Sequence, residues 1–163
     1  MVKKITRNAI LIAFNVSVGL MIHIPIGREI FTPLMASVFI CAFLLGKKQG
    51  MIIGGLSGLI LNILLQLWLW APVTLIVYSL MGYVAGLLGH HSKNNVSRLL
   101  AVLSCWVILV IGYLIGGSVM FGSIEIGLSG VILNIMQGAV SGAVALSVFP
   151  LIKNAMGYRL EKI

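Results

Sequence analysis

The stretch that decides the fold is Gln49–Ser92, QGMIIGGLSGLILNILLQLWLWAPVTLIVYSLMGYVAGLLGHHS, forty-four residues without one Asp, Glu, Lys or Arg. A membrane-spanning helix needs about 20 mostly apolar residues. The stretch is therefore too long for one crossing and suits two with a break between them. The break is predicted at Trp68-Leu69-Trp70-Ala71-Pro72, where an aromatic pair fits the membrane–water boundary and proline marks a turn. The first arm, residues 50–67, carries Asn62 and Gln66 one helical turn apart, and the second, residues 73–89, carries Tyr78. Amides inside apolar helices are costly without partners, so they point to a site or to a buried contact.

Composition extends this reading to the whole chain. Of 163 residues 60% are apolar and only 9% charged, with a mean hydropathy of +1.15. Soluble domains carry about 25% charged residues. The class is an all-α integral membrane protein, because continuous apolar runs replace the alternation that a β-barrel would show. Uncharged runs predict six transmembrane helices at about residues 5–22, 33–46, 50–67, 73–89, 99–119 and 126–152, forming a single six-helix membrane domain over 1–163. The start, Lys3, Lys4 and Arg7 before an apolar run, imitates a secretory signal. No small-residue cleavage site follows, so it reads as a retained first helix.

Charge sets the expected orientation. Lys3, Lys4, Arg7, Lys47, Lys48, Lys93, Arg98, Lys153, Arg159 and Lys162 all fall at one side of such a bundle, leaving Arg28 with Glu29 and Glu125 on the other. The positive-inside rule then puts both termini in the cytoplasm. The net charge of +8 reports that orientation rather than a nucleic-acid partner.

Polar residues sort by depth under this topology. Asn62, Gln66, Tyr78 and Tyr113 fall in outer halves of their helices. Asn134, Gln137 and Ser141 are spaced by three and four and share one face. These groups are either a ligand site or staples between helices, each contact worth about 0.6 kcal/mol. Arg28, beside Glu29, is either a solvated loop residue or a lid contact to a polar ligand. Trp68 and Trp70 read first as interface anchors.

Several chemistries are excluded or disfavoured. There is no Gly-x-x-x-x-Gly-Lys-Ser/Thr phosphate loop. Cys41 and Cys105 have no metal or disulfide spacing and read as small buried hydrophobes. His90 and His91 are adjacent, point apart and lack a third ligand, so no metal site is expected. Gly55-Leu56-Ser57-Gly58 and Gly127-Leu128-Ser129-Gly130 have the Gly-x-Ser-Gly form of an intramembrane serine protease, but no histidine base is placed to reach either serine. Glu29 and Glu125 fall in loops, which disfavours proton coupling through the membrane. No enzyme activity and no cofactor are expected.

Small residues recur at four-residue spacing, including Ala9, Ala13 and Ser17 in the first helix and Gly50, Gly54 and Gly58 in the third. Such stripes let helix backbones approach closely. The first stripe lies beside the basic N-terminus and suits docking of another membrane protein.

The segment Ala9-Ile10-Leu11-Ile12-Ala13 resembles the Ala-x-x-x-Ala motif of the substrate-binding S components of energy-coupling factor (ECF) transporters. Chain length, span count, orientation and the glycine-rich third helix are similar as well. The resemblance implies a subunit of the bacterial plasma membrane that captures a small water-soluble vitamin or precursor in an outward-facing pocket. Hydroxymethylpyrimidine or pyridoxine suits the uncharged set Asn62, Gln66, Tyr78, Tyr113, Asn134 and Gln137, with Arg28 at the lid. It also implies partners: a membrane T component docking on Ala9, Ala13 and Ser17, and two cytoplasmic ATPases supplying energy. The competing reading is a structural or assembly subunit of a membrane complex that binds no ligand.

Overall fold

Gly50 and Gly82 bring two helix backbones into close contact, because a side chain on either would strike the backbone of the other. They lie on α3 (Lys47–Leu64) and α4 (Trp70–Gly89), which run antiparallel. The contact continues as Gly54 against the Tyr78 backbone and Gly58 against Thr74. The glycine stripe of α3 is thus an internal packing surface. The computed structural model describes residues 2–26, 29–90, 92 and 94–160, and the side chains of all of these except Glu29 and residues 156–160.

Around this pair stand α1 (Val2–Met21), α2 (Leu34–Leu45), α5 (Asn95–Phe121), the short α6 (Ile124–Ser129) and α7 (Val131–Leu160). Trp70–Gly89, Asn95–Phe121 and the segment Ile124–Ala155 are long and apolar enough to cross a membrane. The apolar helix α2 is shorter, at 12 residues. Helices α1 and α3 begin on the basic residues Lys3, Lys4 and Arg7, and Lys47 and Lys48. An all-α membrane protein fits this inventory.

Several boundaries differ from those expected. The α3–α4 turn is Leu65–Leu69 rather than residues 68–72. Pro72 belongs to the first turn of α4, where its missing N–H removes no helix hydrogen bond. The last span is preceded by α6, with Gly130 between α6 and α7. The segment after α1 holds an antiparallel two-stranded ladder, β1 (Ile24–Ile26) with β2 (Glu29–Phe31), Pro25 opposite Ile30. Alternation over three residues is too short a signal to read as a strand.

The core lies between α2, α4, α5 and α7, with Phe39, Phe43, Met81, Cys105 and Leu109 fully buried. Phe43 stacks on Phe39 and meets Phe149 edge-on, at 6.2 and 5.4 Å between centroids. At the end of α3 that carries Lys47, Nδ1 of His90 lies 2.9 Å from the Phe43 carbonyl. Lys47 Nζ sits 5.7 Å from the Tyr83 ring there. The Leu65–Leu69 turn is at the opposite end, and a polar-lined cavity lies beside it.

Helix α1 packs on α3 along its length. Asn8 Nδ2 donates to Gln49 Oε1 (2.6 Å), Asn15 Nδ2 lies 3.5 Å from Ser57 Oγ, and Gly19 meets Leu61. Ala9, Ala13 and Ser17 are exposed on another face of α1, flanked by exposed Ile10 and Phe14.

Candidate functional site

A cavity of about 50 Å³ lies among α3, α4, α5 and α7. Its polar lining is Thr32, Asn62, Trp70, Thr74, Tyr78, Tyr113, Asn134 and Gln137. The remainder is Ile30, Leu34, Gly58, Leu61, Leu65 and Leu67. None of these carries a charge. Five of the residues expected at a site, Asn62, Tyr78, Tyr113, Asn134 and Gln137, are brought together here from four helices.

Helical spacing explains the convergence. Thr74 and Tyr78 are four apart on α4, and Asn134 and Gln137 three apart on α7, so each pair presents one face. Gly58 leaves the room that Thr74 fills. Residues from the β1–β2 segment and the α3–α4 turn close the remaining side: Ile30 and Thr32 from one, Leu65 and Leu67 from the other. Thr32 Oγ1 accepts from the Leu34 N–H at 2.9 Å and so fixes the start of α2.

Two hydrogen-bonded chains cross the cavity walls. Asn62 donates from Nδ2 to Thr74 Oγ1 at 2.5 Å, and Thr74 Oγ1 shares a hydrogen bond with the Tyr113 hydroxyl at 2.7 Å. This chain ties α3, α4 and α5. Gln137 donates from Nε2 to the Tyr78 hydroxyl at 3.1 Å and ties α7 to α4. Asn134 differs from all of these. It is 4% exposed and lines the cavity, yet its side chain has no hydrogen-bond partner among the described residues. A buried amide without partners is costly. Asn134 therefore presents a complete amide, one acceptor and two donor hydrogens, to whatever fills the cavity.

Aromatic packing forms one wall. Trp70 is buried, with its ring 5.6 Å from Tyr113 and 5.8 Å from Phe121. This corrects the interface-anchor reading for Trp70, while Trp68 is 63% exposed as an anchor would be.

Gln66 does not join the site. Its expected place assumed that α3 continues through residue 67, but the helix ends at Leu64. Gln66 takes a left-handed conformation (φ 60°) in the turn and is exposed. It borders a shallow crevice with Trp68 and Phe121 on the far side of Trp70. Arg28 lies outside the described residues, as do His91, Lys93 and Lys162. Thr74 was missed by the sequence reading, although its four-residue offset from Tyr78 was a usable signal.

Comparison with known proteins defines the class that this bundle and cavity belong to. Residues 1–154 match the family described as the ECF-type riboflavin transporter, S component. The chain belongs to this family: it is an ECF-type S component, part of a transporter rather than an enzyme. It is 30% identical over 155 residues to the thiamine precursor transporter HmpT of Lactococcus lactis subsp. cremoris (strain MG1363), an alignment spanning 93% of this chain and 89% of that protein.

Proposed function

We propose that this S component captures a neutral, single-ring vitamin precursor, hydroxymethylpyrimidine or the similarly sized pyridoxine, from outside a bacterial plasma membrane. The observation that carries the proposal is the Asn134 amide, buried, unpartnered among the described residues and facing an uncharged cavity. An amide pairs with the adjacent donor and acceptor of an aminopyrimidine edge, and Trp70, Tyr78 and Tyr113 offer ring surface for stacking.

Cavity size favours the smaller of the two ligands suggested by the relatives. The family is described for riboflavin and the Lactococcus protein for a thiamine precursor. A water needs about 10–15 Å³ of such space, so about 50 Å³ holds only a few. A single ring requires modest outward movement of the β1–β2 segment and the α3–α4 turn. A tricyclic flavin with its ribityl chain requires far more.

The proposed topology is six spans with both termini in the cytoplasm. In support, the cavity lies at the end of α3 opposite Lys47 and Lys48, so ligand capture faces away from the basic surface. The exposed stripe Ala9, Ala13 and Ser17 is the proposed contact for a T component. Two ATPases acting through that component would supply the energy. Arg28 is proposed to reach the ligand from the lid.

Gentle purification in detergent, followed by denaturation and mass spectrometry, tests the binding proposal. Hydroxymethylpyrimidine or pyridoxine should be recovered at close to one per protein. Recovery of riboflavin in their place would overturn the choice of ligand.

A further inference from the structure

Arg98 is a buried cation with no counter-ion among the described residues. It lies in the first turns of α5, is 6% exposed, and its Nε has no hydrogen-bond partner among the described residues. Its other contacts are to neutral groups. Nη1 donates to Asn95 Oδ1 at 2.9 Å, Nη2 donates to the Ser92 carbonyl at 2.6 Å, and the guanidinium lies 4.6 Å from the Phe149 ring centroid. No carboxylate pairs with it among the described residues. A buried charge without an ion partner is strongly unfavourable, and a cation at a helix N-terminus opposes the helix dipole. An anion against Arg98 would offset both costs.

The surroundings say what kind of anion. Arg98 lines a groove of about 280 Å³ between α5 and α7 with Asn95, Val96, Leu99, Leu146 and Pro150. Apart from Asn95 its other walls are apolar, and Val96 and Leu99 are 65% and 45% exposed. The uncharged run of α5 begins at Leu99, so the groove straddles the boundary between polar headgroups and acyl chains. Lys153, exposed, stands three residues beyond Pro150 on the same face of α7.

We propose that this groove binds one anionic phospholipid, its phosphate against Arg98 and an acyl chain along Val96, Leu99 and Leu146. Charge complementarity selects the headgroup, because a guanidinium forks onto phosphate oxygens. Basic pockets between helices at the membrane surface hold anionic lipids by this chemistry. The site lies at the end of α5 remote from the Tyr113 cavity and does not depend on which vitamin that cavity takes.

Native mass spectrometry of the purified full-length protein tests this, with palmitoyl-oleoyl phosphatidylglycerol against the phosphatidylcholine of the same chains. One phosphatidylglycerol should be retained in preference to phosphatidylcholine by about tenfold, the effect of one charge-assisted contact. Arg98→Gln should abolish the preference, and Val96→Glu should do the same by placing a carboxylate at the rim. If Arg98→Gln fails to fold, Val96→Glu decides, since its side chain is mostly exposed. Equal retention of the two lipids, or a preference surviving in Val96→Glu, would overturn the proposal. So would displacement of phosphatidylglycerol by millimolar inorganic phosphate, which would make this a simple anion site. A preference seen only in the assembled transporter would overturn it in favour of a partner-protein contact.

Discussion

Asn134→Leu is expected to weaken binding of hydroxymethylpyrimidine about 10- to 100-fold, while leaving the melting temperature of the ligand-free protein unchanged or raised. Leucine keeps the branched four-atom skeleton of asparagine and removes an amide that has no partner among the described residues. Removing an unsatisfied buried polar group is neutral or stabilising for the protein alone. The ligand, by contrast, loses a partner for its ring edge at about 1–3 kcal/mol, and each 1.4 kcal/mol is about tenfold in affinity. Gln137→Leu provides the contrast. It orphans the Tyr78 hydroxyl, to which Gln137 donates, so both the melting temperature and the affinity should fall. Titration calorimetry and a thermal melt on the two variants separate a ligand contact from a staple. Equal loss of stability in both would show that Asn134 is a structural amide.

The second large effect is expected on the other face of the molecule. Ala9→Trp combined with Ala13→Trp should abolish uptake in cells expressing the complete transporter, with ligand affinity unchanged in the isolated subunit. Ala9 and Ala13 are exposed on α1 while Asn15, Val16 and Gly19 bury the face toward the bundle. Substitutions at exposed positions change stability by less than about 0.5 kcal/mol, so the fold and cavity should survive. A small-residue stripe works by allowing close backbone approach, and an indole on it holds a partner helix away. Uptake assays paired with binding on the purified variant give the two readouts. Loss of binding together with uptake would show that α1 supports the cavity rather than a partner.

The residues brought around the cavity were largely legible from the chain, because their signal is chemical. Asn62, Tyr78, Tyr113, Asn134 and Gln137 are polar groups in otherwise apolar runs, and bilayer energetics forces such groups to converge. Gln66 looked equivalent to Asn62 by spacing, but spacing counts only while the helix lasts, and α3 stops at Leu64. Trp70 read as an interface residue because tryptophan is common at that depth. Its burial against Tyr113 and Phe121 depends on how α4 and α5 pack. The β1–β2 pairing and α6 are three and six residues long, below the length at which periodicity distinguishes an element from a loop. Which polar residues are staples and which present unpaired groups was not legible at all. Asn62, Thr74 and Tyr113 bond across three helices, and only their relative positions separate them from Asn134.

A calorimetric titration of the purified protein with hydroxymethylpyrimidine, pyridoxine and riboflavin tests most directly whether the Asn134 cavity is a single-ring binding site. Saturable one-to-one binding is expected for at least one of the two single-ring compounds, with no heat of binding from riboflavin. Tight binding of riboflavin, with neither single-ring compound bound, would contradict it.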